Sequence, residues 1–195
     1  MSVARVREIE MAYDDVGSGP VVVLLHGYPF NRSMWREQTA AFSANYRVIT
    51  PDLRGHGETT VTPELATMED MARDVCALLD KLDINRVALG GLSMGGYVTF
   101  AFYRRFPLRV RALILADTRP QADTEEARRN REEQAQKILK EGMQSITSDF
   151  LKKVLTTATL NEKPETVERV REMILKTDSQ GAANALRGMA ARHDQ

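Results

Sequence analysis

Apolar positions in the first 116 residues fall into five short runs separated by amphipathic stretches. Val6 to Tyr13 sets Val6, Ile9 and Met11 among polar residues and reads as a first strand. Val21-Val22-Val23-Leu24-Leu25 is continuous and rich in β-branched residues, the pattern of a strand covered by helices on both faces. Tyr46–Thr50, Arg86–Leu89 and Ala112–Leu115 are three further strands. Between them the period is helical. Ser33 to Phe42 is a helix with Ser33 as cap and Trp35 on its apolar side. Thr67-Met68-Glu69-Asp70 resembles a capping box, and Met71, Val75, Leu78, Leu79 and Leu82 follow on one stripe. Gly96 to Phe106 is helix-compatible and stops at Pro107. This alternation predicts an α/β chain with a doubly wound, mostly parallel sheet.

After Pro120 only the helical period remains. Thr124–Glu141 is polar and charged and stops at Gly142. Met143, Ile146, Phe150, Leu151, Val154 and Leu155 mark a second helix, and Pro164 opens a third with Val167, Val170 and Ile174. Asp178 or Ser179 caps a fourth carrying Leu186 and Met189. The expectation is a core over residues 1–120 and a helical cap over 121–195. The cap starts at the C-terminal end of a strand, where open α/β sheets bind ligands, so it is expected to lie over the site.

Charge and composition narrow the functions available. Lys+Arg and Asp+Glu are both 27, so nothing favours a nucleic-acid or anionic membrane partner. No apolar run approaches membrane-spanning length, and the first residues lack the apolar region of a secretion signal. The cytoplasm is the expected compartment. The single cysteine, Cys76, falls within an amphipathic helix and reads as a buried thiol.

The chemistry sits at Leu89-Gly90-Gly91-Leu92-Ser93-Met94-Gly95-Gly96-Tyr97. This is a G-x-S-x-G between a strand and a helix, the context in which serine becomes an exposed nucleophile. Gly91 and Gly95 are small because so tight a turn leaves no room for a Cβ. The Met94 amide, at the helix N-terminus, is a candidate oxyanion donor. A glycine-rich turn with an idle serine would show the same letters. However, His26, Asp52, Ser93 and Asp117 all fall at C-terminal strand ends.

Four segments together resemble the α/β-hydrolase superfamily, specifically its small esterase, perhydrolase and enol-lactonase-like group. They are Leu25-His26-Gly27-Tyr28-Pro29, Pro51-Asp52-Leu53-Arg54-Gly55-His56-Gly57, Gly91 to Gly95, and Leu113 to Arg119, in the family's order. The resemblance implies Ser93 as nucleophile and the amides of Tyr28 and Met94 as the oxyanion hole. It implies a small acyl ester or lactone as substrate, and no cofactor or metal. A serine at position 93 sets the chain apart from relatives that use aspartate there. Cofactor-free perhydrolysis is the alternative chemistry, and ligand binding without turnover the alternative class.

The same resemblance implies further strands and a histidine beyond the cap, past Gln195. The expectation is therefore a chain lacking that C-terminal part and impaired without its histidine. Asp117 is a candidate acid, against a turn cap. His193 is a candidate base, folded back or donated by a partner chain, against an exposed terminal residue. His26 and His56 read as structural. The strand Ala112–Leu115 is left as an edge, which predicts a homodimer or larger species formed through that edge or by exchange of cap helices.

Overall fold

The sheet begins with a hairpin rather than with one strand. β1 (Ser2–Val6) and β2 (Ile9–Val16) pair antiparallel, with Val6 opposite Ile9. Arg7 takes the turn at φ 50°. The strand expected from Val6 to Tyr13 hid this turn, because neither Arg7 nor Glu8 is a turn-forming residue type. This computed structural model describes residues 1–194, so Gln195, the last residue of the expected cap, lies outside the described residues.

β2 pairs antiparallel with β4 (Arg47–Pro51). The remaining pairs are parallel: β4 with β3 (Val21–Leu25), β3 with β5 (Val87–Leu92), and β5 with β6 (Val110–Ala116). The order across the six strands is β1-β2-β4-β3-β5-β6. The sheet is mixed and mostly parallel, with helices around it.

Three helices connect the strands. Asn31 caps a 3₁₀ turn, Arg32–Trp35, that leads into α1 (Arg36–Phe42). The cap expected at Ser33 therefore lies two residues earlier. Asn31 outcompetes Ser33 because its side chain reaches forward to the Ser33 amide at 3.0 Å. α2 (Met68–Lys81) starts at Thr67, whose hydroxyl accepts from the Asp70 amide at 3.0 Å. α3 (Met94–Arg105) follows β5 directly.

The two faces of the sheet are buried unequally. Val23, Leu25, Val87 and Leu89 join Met71, Val75, Leu78, Val98 and Phe102 in one large core. Each such side chain contributes about 1.5–3 kcal/mol on burial. The other face buries Val22, Leu24 and Val48, with Trp35 packed against them. β6 departs from the pattern. Leu113, Ile114 and Leu115 are 36, 44 and 45% exposed.

Five helices follow β6: α4 (Glu125–Glu141), α5 (Gln144–Val154), α6 (Thr157–Glu162), α7 (Pro164–Leu175) and α8 (Ser179–Ala190). The sequence reading had four. α6 has no apolar stripe long enough to announce itself, yet the Thr156 hydroxyl caps it. α8 is the element that returns to the core. The Asn184 amide group donates to the Thr62 carbonyl at 2.8 Å. Gly181 meets Gly55 so closely that a Cβ on Gly181 would lie 2.0 Å from the Gly55 oxygen. Just before α8, the Thr177 hydroxyl donates to the Pro29 carbonyl at 2.6 Å.

Candidate active site

Ser93 occupies the turn between β5 and α3 at φ 51°, ψ −110°. Few non-glycine residues adopt that region, and holding one there costs roughly 1–3 kcal/mol that the surroundings must supply. The surroundings are specific. The Ser93 amide donates to the Ala116 carbonyl at 3.0 Å. The Ser93 carbonyl accepts from the Gly96 amide at 3.0 Å, the Tyr97 amide at 3.2 Å and the Thr118 hydroxyl at 2.9 Å. The end of β6 thus pins the turn.

The two elbow glycines are sterically required. A Cβ on Gly91 would lie 2.1 Å from the Gly95 carbonyl carbon, and one on Gly95 would lie 2.3 Å from the Leu25 oxygen. These approaches, well inside van der Waals contact, set the turn against the end of β3.

That contact brings in the loop after β3. A Cβ built on Gly27 would lie 3.8 Å from the Ser93 Cβ. Tyr28 follows, and Met94 is the first residue of α3. Among the described residues the backbone amides of Tyr28 and Met94 donate no hydrogen bond. Two unengaged amides beside a hydroxyl, one at a positive helix terminus, form an arrangement suited to a developing oxyanion.

Ser93 opens into a cavity of about 1050 Å³. Tyr28, Leu92, Tyr97 and Asp117 from the sheet side line it, and α4, α5, α7 and α8 contribute Arg131, Phe150, Met173 and Met189. The helical segment after β6 and the strand ends therefore share one cavity.

The three histidines are placed differently. His26 is fully buried; its Nδ1 lies 3.0 Å from the Gly27 oxygen and its Nε2 accepts from the Leu53 amide at 2.9 Å. This ring ties the Gly27 loop to the loop after β4. Burial lowers its pKa to about 4, against a smaller opposing hydrogen bond to Gly27. His56 is also buried, with Nδ1 3.1 Å from the Arg54 oxygen, and burial followed by His26 lowers its pKa to about 3. Both rings are neutral braces near neutral pH. His193 is exposed and does not line the cavity.

Asp117 is exposed, sits at φ 42° just past β6, and lines the cavity with Ser93. The structure thus brings Ser93, Tyr28, Met94, Gly91, Gly95 and Asp117 together and leaves His193 at the periphery. In the loop after β4, Asp52 is fully buried and accepts from the amides of Arg32 at 2.7 Å and Glu58 at 2.9 Å.

One cluster escaped the sequence reading. Asp123 is buried and takes Arg192 at 2.8 Å, Arg131 at 2.5 Å and Arg119 at 3.1 Å. Its pKa falls to about 2; burial pushes it up, and the hydrogen bonds and charges of Arg131 and Arg192 outweigh that. The Arg192 guanidinium also lies 4.0 Å over the Tyr97 ring. These residues stand in polar stretches, and no local signal separates them from solvated charges.

A serine held on a strained strand-to-helix turn, at the C-terminal edge of a mostly parallel sheet and under a helical cover, defines the nucleophile-elbow class of α/β proteins. The chain belongs to the alpha/beta hydrolase fold family, whose profile matches residues 20–191. A solved thermophilic esterase from Thermogutta terrifontis is 41% identical, with a TM-score of 0.96 over 100% of this chain and 74% of that one. 3-Oxoadipate enol-lactonase 2 of Acinetobacter baylyi is 27% identical over 94% of this chain and 68% of its own length. A putative non-heme chloroperoxidase of Synechocystis is 40% identical over 47% of this chain, which spans only 34% of that protein. Among the described residues no helix is long and apolar enough to cross a membrane.

Proposed function

We propose that the chain is a serine hydrolase of esterase type acting on a small acyl ester or lactone through an acyl-enzyme at Ser93. Ser93 Oγ attacks the acyl carbonyl, and the amides of Tyr28 and Met94 hold the tetrahedral oxyanion. The observation that carries the reading is the strained Ser93 turn facing a cavity, with both amides unengaged. Similarity to an esterase and an enol-lactonase supports the substrate class.

The proton on Ser93 needs an acceptor. His26 and His56 are buried and hydrogen-bonded elsewhere, and no histidine among the described residues lines the cavity. A triad without its base retains on the order of 10³–10⁴-fold acceleration over water. The chain by itself is therefore expected to be a weak catalyst that acylates slowly. Labelling by a fluorophosphonate probe, wild type against Ser93→Ala, tests the nucleophile. Equal labelling of both proteins would refute it, and binding of ester without turnover or labelling would support a ligand-binding role instead. Similarity to the chloroperoxidase favours one second reading, cofactor-free perhydrolysis at the same serine. Peroxide-dependent halogenation in acetate, lost in Ser93→Ala, would establish it.

A further inference from the structure

The loop after β3, which carries the Tyr28 amide, is tied down from two sides. On the core side the ties end at Gly27. Its amide donates to the Met34 thioether at 3.3 Å, and its carbonyl accepts from the Phe30 amide at 2.9 Å. His26, one residue earlier, accepts from the Leu53 amide at 2.9 Å. Residues 28 and 29 lie past these ties. Among the described residues the Tyr28 amide and carbonyl have no hydrogen-bond partner, and Pro29 has no N–H to donate.

The other side is the helical segment. Thr177, in the link between α7 and α8, is 3% exposed, and its hydroxyl donates to the Pro29 carbonyl at 2.6 Å across 148 positions. Among the described residues this is the one hydrogen bond that residues 28 and 29 make. Phe150 of α5 adds apolar contact to the same loop. Its ring stands edge-on to Tyr28 and Phe30, with centroids 6.2 and 5.8 Å away.

The Thr177 hydroxyl has two acceptors in reach. The Met173 carbonyl, four residues back, lies at 3.3 Å, where a threonine commonly bonds to its own helix. The shorter bond leaves the helix for the loop. Valine would fill the same space, but it would leave the Pro29 oxygen without its donor.

We propose, on the reading of the Tyr28 amide as an oxyanion donor, that Thr177 is a positioning residue for that amide. Its hydroxyl fixes Pro29 and so holds Tyr28 at its place beside Ser93. A misplacement of about 1 Å at a reacting centre can cost about 10²-fold in rate, so a loop with one tie at this point is sensitive to that tie. The helical segment then shapes the oxyanion site as well as covering the cavity.

The rate at which a fluorophosphonate probe labels Ser93 reads the oxyanion site, because the phosphoryl oxygen takes the oxyanion's position. Thr177→Val should lower the maximal labelling rate about tenfold or more and leave the half-saturating probe concentration within about twofold. Thr177→Ser keeps the donor and should regain most of the rate. Thr177→Cys, a weak donor of similar volume, should fall between the two, and it carries the same contrast where the valine variant does not fold. The Phe30 amide gives a readout free of chemistry. Its hydrogen exchange should quicken in Thr177→Val and not in Thr177→Ser, while the β5 amides keep their wild-type rates. Unchanged labelling in Thr177→Val, or an equal loss in Thr177→Ser, would overturn the proposal. So would a faster Phe30 amide with no loss of labelling rate. Labelling that survives in Ser93→Ala would instead overturn the nucleophile reading and this proposal with it. That failure is distinguishable, because the contrast between the Thr177 variants in Phe30 exchange would remain.

Discussion

Removing the Asp123 carboxylate tests how the two ends of the helical segment are held together. Asp123 and Arg192 side chains are 0 and 1% exposed, and the distance between them is 2.8 Å. Arg192 also donates to the Met189 carbonyl at 2.8 Å and to the Gln121 carbonyl at 2.9 Å, and its Nε has no partner among the described residues. Asp123→Asn leaves this guanidinium buried without its counter-charge. Deleting one partner of a buried pair costs about 3–5 kcal/mol. A second route gives a smaller figure. The Asp123 pKa falls from 3.8 to about 2, which corresponds to about 2 kcal/mol. Asparagine keeps some hydrogen bonding, so about 3 kcal/mol is expected, or about 6–12 °C in Tm for a chain of this size. The depressed pKa sets the pH window: the stabilisation is complete above the unfolded-state pKa and is lost as pH falls from about 4 towards 2. Thermal unfolding of wild type and Asp123→Asn should therefore differ most at neutral pH and converge in acid. Asp123→Leu with Arg192→Leu should be milder than Asp123→Leu alone, because no charge is stranded. A Tm within about 1 °C of wild type for Asp123→Asn at pH 7 would refute the reasoning.

Three further outcomes follow from the site. Ser93→Ala should abolish p-nitrophenyl ester turnover with little loss of Tm; turnover at the wild-type rate would remove Ser93 from the mechanism. Gly95→Val should destabilise far more than Ser93→Ala, because its Cβ would enter the Leu25 and His26 carbonyls at 2.3 and 2.8 Å, and equal Tm values would contradict a sterically closed elbow. Acidification below about pH 6.5 should weaken the fold through its buried histidines. His26 stays neutral to about pH 4 while the unfolded ring protonates near 6.5, so about 3 kcal/mol is lost across that window, and a flat denaturant midpoint from pH 6.5 to 4.5 would argue against a buried neutral ring.

The sequence by itself determined the parts whose cause is local. A β-branched run such as Val21–Val23 commits to a buried strand, and Thr67 with Asp70 starts α2 through bonds spanning three residues. Gly91, Ser93 and Gly95 announce their turn because the steric demand falls within five positions. The turn at Arg7 carries no turn residue and was hidden, and at the start of α1 two cap residues competed, Asn31 winning over Ser33 through its bond to the Ser33 amide. Only the tertiary structure decided which charges are solvated and which are buried. Asp123 and Arg192 lie 69 positions apart in polar stretches, and their pairing exists only once α8 lies against α4 and the core. The histidines divide the same way: their loops already mark His26 and His56 as structural, while the burial that keeps both rings neutral comes only from packing. Burial, a property of the whole assembled chain, sets desolvation, and desolvation decides which ionisable groups are available for chemistry.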